Sequence, residues 1–138
     1  MPATVGRERV AARVPLEACV CVLFVEDEPL ILMATAFCLE GAGFKVMTAD
    51  DGLHAIDLLE QHPRHFTALV TDFHMPLLTG AHVVMSMRRT YPGIPMIITT
   101  ALTHVVTEGW RLQYAVDMLA KPYDPETLIR MLRSALNG

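Results

Sequence analysis

The chain has 138 residues, 52% of them hydrophobic and 19% charged, with a formal net charge of −4. That length fits one ordinary domain with a sizeable core and excludes a second of similar size. The acidic balance excludes wholesale disorder and argues against a broad nucleic-acid-binding surface.

Residues 1–18 set Arg7, Arg9 and Arg13 against Glu8 and Glu17 and follow neither a helical nor a strand period, so they read as a mobile leader. Glu17 interrupts the apolar stretch and no small-residue cleavage site follows, which argues against a secretory signal. The longest apolar run, residues 18–25, is too short to span a bilayer and meets Glu26, Asp27 and Glu28 at once, so no membrane segment is expected and the cytoplasm is the expected location. Cys19 and Cys21 lie two apart on an expected strand, pointing the same way but too far along it to bond, and read as small buried hydrophobes rather than metal ligands.

From residue 18 onward, β-type runs alternate with helical patterns in five units, the signature of an α/β fold with a parallel sheet covered on both faces. Strand 18–25 leads to a helix with Pro29 at its first position and Gly41 as its stop. Strand 44–48 precedes helix 52–61, and strand 67–71 precedes helix 80–91. Strand 95–99 precedes a weaker helix over 103–114, where Val105, Val106, Thr107 and Gly109 have poor helix propensity. That segment, which holds the sole tryptophan, Trp110, is the one expected to move. Strand 116–119 is short and contains Asp117. Asp124 and Pro125 open a last helix with Leu128, Ile129, Leu132 and Leu136 on one face. The expected division is therefore a leader over 1–18 and one folded domain over 19–138, with no room for an effector domain after it.

The first of these helices is unusual, because Glu40 is its only charged residue. With Ile31, Ala34, Cys38 and Leu39 toward the sheet, Leu32, Met33, Ala36 and Phe37 would form an exposed apolar patch. The patch reads either as a partner-docking surface or as a face covered by Val10, Val14 and Leu16 of the leader.

Right-handed crossovers place the C-terminal ends of all parallel strands on one edge, beyond which ligands bind in such folds. Glu26 and Asp27 after the first strand, Asp72 after the third, Thr100 after the fourth and Lys121 after the fifth therefore share one site. Three carboxylates in one cleft repel one another, and a hard cation such as Mg²⁺ takes oxygen ligands while keeping waters for a substrate phosphate. With Lys121 present the group carries two net negative charges, which one Mg²⁺ balances. This suits phosphoryl transfer to a carboxylate, with Asp72 as nucleophile, Asp27 as a direct metal ligand, and Lys121 and Thr100 on the phosphoryl oxygens. Taken singly, Asp72 would be an ordinary loop carboxylate, Thr100 a helix-capping hydroxyl and Lys121 a surface lysine; the set carries the reading. His62 and His65 have the spacing of a ligand pair but no third ligand nearby, and Pro63 with Arg64 marks an exposed turn.

V-L-F-V-E-D-E-P-L at 22–30, V-T-D-F-H-M-P-L-L-T-G at 70–80, I-I-T-T-A at 97–101 and L-A-K-P-Y at 119–123 stand in order on the expected strand ends. Over residues 21–136 the chain thereby resembles the receiver domain of bacterial two-component response regulators, of the single-domain type. The resemblance implies a flavodoxin-like (βα)5 sandwich with strand order 2-1-3-4-5. It also implies that Asp72 accepts a phosphoryl group from a phosphohistidine on a sensor histidine kinase or a phosphotransfer protein. Asp27, Asp72 and the backbone carbonyl of His74 would hold Mg²⁺, Glu26 would act through a water, and Thr100 and Lys121 would bind the phosphoryl group. The His74 side chain reads either as leaning over that group or as facing solvent.

Two residues depart from the family pattern. Met118 stands where an aromatic residue is usual three before the lysine, which weakens the expected coupling of threonine and aromatic side chain. Glu26 stands where aspartate is common, lengthening the reach by one methylene.

The expected role is thus a signalling module rather than an enzyme, switching its surface for a downstream protein and touching neither nucleic acid nor membrane. A competing reading is a Mg²⁺-dependent phosphohydrolase working through an aspartyl phosphate. The haloacid dehalogenase type needs a second aspartate two residues after the nucleophile, where this chain has His74. A third reading is a receiver cut from a larger hybrid kinase or regulator.

Overall fold

A computed structural model of the chain describes residues 21–91, 93–101 and 106–137, and within them all five βα units form. In chain order they are β1 (Cys21–Val25), α1 (Pro29–Gly41), β2 (Lys45–Ala49), α2 (Gly52–Gln61), β3 (Ala68–Asp72), α3 (Gly80–Thr90), β4 (Met96–Thr100), α4 (Glu108–Tyr114), β5 (Val116–Ala120) and α5 (Pro125–Asn137). The five strands make one sheet in the order β2-β1-β3-β4-β5, every neighbouring pair parallel. The order expected from the resemblance is the order found. The expected leader over 1–18 and Cys19 lie outside the described residues, while Cys21 is buried and free.

The sheet separates two cores because successive side chains of a strand point to opposite faces. Along β1, Val22 and Phe24 pack toward α1 and α5, joining Leu39, Leu128, Ile129 and Leu132. Leu23 and Val25 face the other way, against Ala55 and Leu59 of α2 and Val83, Val84 and Met87 of α3. The strands β1, β3 and β4 are buried along their whole length, and each fully buried Leu, Ile, Val or Phe there contributes roughly 1.5–3 kcal/mol. β5 is one of the two edge strands, and Asp117 sits in it without burial.

Boundaries shift where local chemistry outweighs the hydrophobic pattern. β3 and β4 each run one residue further than expected, so Asp72 and Thr100 are the last residues of their strands rather than the first after them. Helix α4 starts at Glu108, with the Thr107 side chain accepting a hydrogen bond from the Trp110 N–H at 3.2 Å as its N-cap; residues 103–105 of the expected helix lie outside the described set. α1 ends at Gly41 as expected, and the chain then turns through Gly43, at φ 103°. Asp124 caps α5 as expected, accepting from the Glu126 N–H at 3.1 Å.

The facing of α1 differs more. Thr35 and Leu39 are its buried residues, and Leu32, Ala36 and Cys38 pack against the core beside them. Leu30, Met33 and Phe37, at 81%, 69% and 77% exposure, stand outward with Ala34. The apolar patch therefore exists, but Leu32 and Ala36 belong to the buried side and Ala34 to the exposed one. With apolar residues all round the helix, the sequence offered no polar stripe from which to read its rotation.

Candidate functional site at the C-terminal edge of the sheet

The strand order reverses between β1 and β3, the point where an open parallel sheet leaves a crevice. Register sets what lines it. Val25 pairs with Thr71, which puts Glu26 beside Asp72, and Asp72 pairs with Thr99 while Thr100 pairs with Ala120. Carboxylate oxygens of Glu26, Asp27 and Asp72 all lie within 4.8 Å of one another. Glu26 is fully buried and Asp72 nearly so, whereas Asp27 is exposed.

Lys121 reaches into this cluster from the loop after β5. Its Nζ lies 3.0 Å from Glu26 Oε1 and 3.2 Å from Asp72 Oδ2. Burial raises the Asp72 carboxyl, and the neighbouring Glu26 charge adds to it; the Lys121 ammonium opposes both, leaving the group at about 6. Burial on its own would lower the Lys121 ammonium, but its hydrogen bond to Glu26 and the charges of Asp72 and Glu26 together outweigh that and hold it above its ordinary range. The backbone N–H of Lys121 donates to the Thr100 carbonyl at 2.9 Å, fixing where the lysine leaves β5. Thr100 itself is fully buried at the end of β4, and beside it the Thr99 hydroxyl is buried with no hydrogen-bond partner among the described residues.

The loop between β3 and α3 is held by bare backbone. A Cβ on Gly80 would collide with the Asp72 carbonyl oxygen, so α3 begins directly against the backbone of Asp72, and Gly80 N–H donates to the Phe73 carbonyl at 2.8 Å. A Cβ on Gly52 would lie 2.6 Å from Leu78 Cβ, which seats the far side of the same loop on the start of α2. His74 is exposed in this loop, its ring edge-on to Phe73 with centroids 5.0 Å apart. His62 and His65 lie apart from the site in the α2–β3 turn, where Arg64 takes φ 64°.

All six residues singled out from the sequence thus lie at one edge, with Glu26, Asp27, Asp72 and Lys121 as the interacting group. Two features were missed. The Tyr123 hydroxyl lies 3.3 Å from Thr35 Oγ1, tying the β5–α5 loop to α1. Arg88 on α3 donates to the carbonyls of Ile94, Tyr114 and Ala115. Thr35 was visible as the single hydroxyl in the apolar sequence of α1; Arg88 left no comparable signal.

Fold and crevice together define a doubly wound α/β protein with an acidic, lysine-bridged site at its switch point. The sequence matches the response regulator receiver domain over residues 22–133, and the chain belongs to that family. It is 31% identical over 125 residues to the peroxide stress-activated histidine kinase mak3 of Schizosaccharomyces pombe, a match covering 85% of this chain and 5% of that protein. Among solved structures it resembles the chemotaxis protein CheY4 of Vibrio cholerae, with TM-score 0.76 and 29% identity over 86% of this chain and 99% of that one. It also resembles the receiver domain of the sensor histidine kinase PA1611 of Pseudomonas aeruginosa, with TM-score 0.72 and 28% identity over 88% and all of that chain. The chain spans from 5% to 50% of the length of three curated relatives that it matches. No helix among the described residues is long and apolar enough to cross a membrane.

Proposed function

We propose that Asp72 is the phosphoacceptor of this receiver domain and takes a phosphoryl group from a phosphohistidine of a sensor histidine kinase or phosphotransfer protein. The observation that carries the reading is Lys121 Nζ standing within 3.0–3.2 Å of both Glu26 and Asp72 at the switch point of the sheet. In the transfer, an Asp72 carboxylate oxygen forms the new O–P bond while the P–N bond to the donor imidazole breaks. Lys121 balances charge on the phosphoryl oxygens as it moves from donor to acceptor, and Thr100 supplies a hydroxyl at the end of β4.

The donor set fits Mg²⁺, because it is all oxygen and its three carboxylates face one ammonium. Asp27, Asp72 and the His74 backbone carbonyl would hold the ion, with Glu26 acting through a water; when bound, it neutralises phosphoryl charge and orients the oxygens. The similar PA1611 receiver domain carries a magnesium ion coordinated in its active site cleft.

The exposed face of α1, with Leu30, Met33, Ala34 and Phe37, is the proposed docking surface for the donor, and the cytoplasm the proposed location. Because relatives of this chain include both kinases and transcriptional regulators, the downstream target is a protein whose identity lies outside this domain.

Incubation with acetyl phosphate and Mg²⁺ should add one acid-stable, base-labile phosphoryl group, seen by intact mass, and Asp72→Asn should abolish it. Undiminished labelling of that variant would overturn the assignment.

A further inference from the structure

Lys121 owes its place to a short loop, residues 121–124, between β5 and α5. Three contacts fix that loop. At its start, Lys121 N–H is tied to the Thr100 carbonyl. At its end, Asp124 caps α5 through Glu126 N–H. Between them the one hydrogen bond among the described residues is the pair of hydroxyls, Tyr123 Oη and Thr35 Oγ1, joining residues 88 apart in sequence, and the Tyr123 ring packs against the core beside it.

The environment makes this bond consequential. Thr35 is one of the two buried residues of α1 and its neighbours facing the sheet, Leu32, Ala36 and Leu39, are apolar. A buried hydroxyl costs free energy when it has no partner, and the partner found here is Tyr123. Burial raises the Tyr123 phenol above its ordinary range, so it remains a neutral donor and acceptor at neutral pH. Tyr123, Thr35 and Lys121 also share the wall of one groove of about 500 Å³ between α1 and the loop.

We infer that the Thr35–Tyr123 hydroxyl pair is a positioning device for Lys121, holding the loop so that its ammonium bridges Glu26 and Asp72. This rests on the reading of Asp72 as phosphoacceptor. Without the bond, the loop keeps its two ends and the packing of the Tyr123 ring on the core but loses the hydroxyl tether to α1, and the lysine samples positions outside the 3.0–3.2 Å bridge. Displacement of a catalytic group by about 1 Å costs up to roughly 100-fold in rate, and loss of a group that orients another typically costs about 10–100-fold. Because the lysine keeps its backbone anchor, the smaller effect is expected. The pair also sits in the wall of the groove beside the proposed docking face, so a donor seated there touches the element that sets the lysine.

The test uses Tyr123→Phe and Thr35→Val, each removing one hydroxyl, their double variant, and Thr35→Ser, which keeps it. Acetyl phosphate labelling of Asp72 is followed by intact mass, and melting temperature is measured for each. Both single variants should label roughly tenfold more slowly than the parent, the double variant no more slowly than either single, and Thr35→Ser at the parental rate, with the melting temperature of Thr35→Ser close to the parent and that of Tyr123→Phe a few degrees lower, because the buried Thr35 hydroxyl loses its partner. Non-additivity of this kind is the mark of two groups acting through one contact. Parental rates in Tyr123→Phe, additive losses in the double variant, or a Thr35→Ser as slow as Thr35→Val would each overturn the inference. Should Thr35→Val fail to fold, Tyr123→Phe and Thr35→Ser decide between them. The Asp72→Asn control keeps the two readings apart: labelling that survives it refutes the phosphoacceptor, whereas labelling that depends on Asp72 but ignores the hydroxyls refutes only the tether.

Discussion

Helices α1 and α4 pack on opposite faces of the sheet, and they are held to it by different means. α1 has 13 residues and lies on the core through Leu39 and Thr35, with Leu32, Ala36 and Cys38 beside them. α4 has 7 residues, none of them fully buried, and it touches the core only in part, through Trp110 and Tyr114. Its C-terminal end is instead bound by polar groups: Arg88 donates to the Tyr114 carbonyl at 2.8 and 3.1 Å, and Arg111 donates to the Val116 carbonyl at 3.2 Å. Apolar burial is spread over a surface and has no preferred angle, whereas a hydrogen bond is directional and contributes only about 1 kcal/mol net. The contrast teaches that an element can border a site and still differ sharply in how little free energy shifts it. Of the two, α4 is the one expected to move with a change at Asp72, through Phe73, which packs in the same core as Trp110.

The largest expected effect comes from removing the polar hold. Arg88→Ala leaves the carbonyls of Ile94, Tyr114 and Ala115 without their guanidinium, which should cost about 2 kcal/mol in urea unfolding. Hydrogen exchange should accelerate across α4 and the start of β5 while α1 stays protected, and Trp110 fluorescence should change. Equal acceleration in α1 would show that the two helices are not held independently.

A substitution pair tests α1 in the same way. Leu32→Glu puts a charge against the core and should cost about 2 kcal/mol, while Phe37→Glu on the exposed face should stay within about 0.5 kcal/mol of the parent. If the exposed face docks the phosphodonor protein, Phe37→Glu should nonetheless slow transfer from that protein and leave acetyl phosphate labelling unchanged. Parental transfer in a folded Phe37→Glu would remove α1 as the docking surface.

The smallest effect charges the site that both helices border. The Asp72 carboxyl stands at about 6 in the folded chain against an ordinary 3.8, so the folded state binds the proton more tightly. Its contribution to stability is therefore full below about 3.8 and is lost as pH rises through about 6. Thermal melts of the metal-free protein should show this group's contribution falling between pH 4 and 7, and Mg²⁺ should raise the melting temperature more at pH 7.5 than at pH 5. A Mg²⁺ effect independent of pH would show that Asp72 is not among the groups it engages.

The sheet was legible because β1, β3 and β4 are buried on both faces and so read as continuous apolar runs. The site edge followed from topology, since parallel strands bring Glu26, Asp72, Thr100 and Lys121 together whatever lies between them. What stayed hidden depended on rotation and on distance. The rotation of α1 was misassigned at Leu32, Ala34 and Ala36, because a helix without a polar stripe looks the same from every side. The start of α4 moved to Glu108, where the Thr107 cap begins it. The Tyr123–Thr35 and Arg88 contacts join residues far apart in the chain, or a side chain to backbone carbonyls, and neither leaves a periodic trace.

The crowding at Gly80 and Gly52 bears on how this chain can drift in sequence. One end of the segment 73–79 is pressed against the Asp72 carbonyl through Gly80, and Leu78 is pressed against the first residue of α2 at Gly52. A segment clamped between two bare backbones has no slack to absorb an extra residue and none to yield. Its side chains are free to vary where they face solvent, as Leu77 does with 75% exposure, but its length is not. Insertions and deletions, commonly absorbed by surface loops, are expected to be shut out of this one, while the α2–β3 turn, with His62 and His65, is held by the Tyr91 hydroxyl rather than by bare backbone.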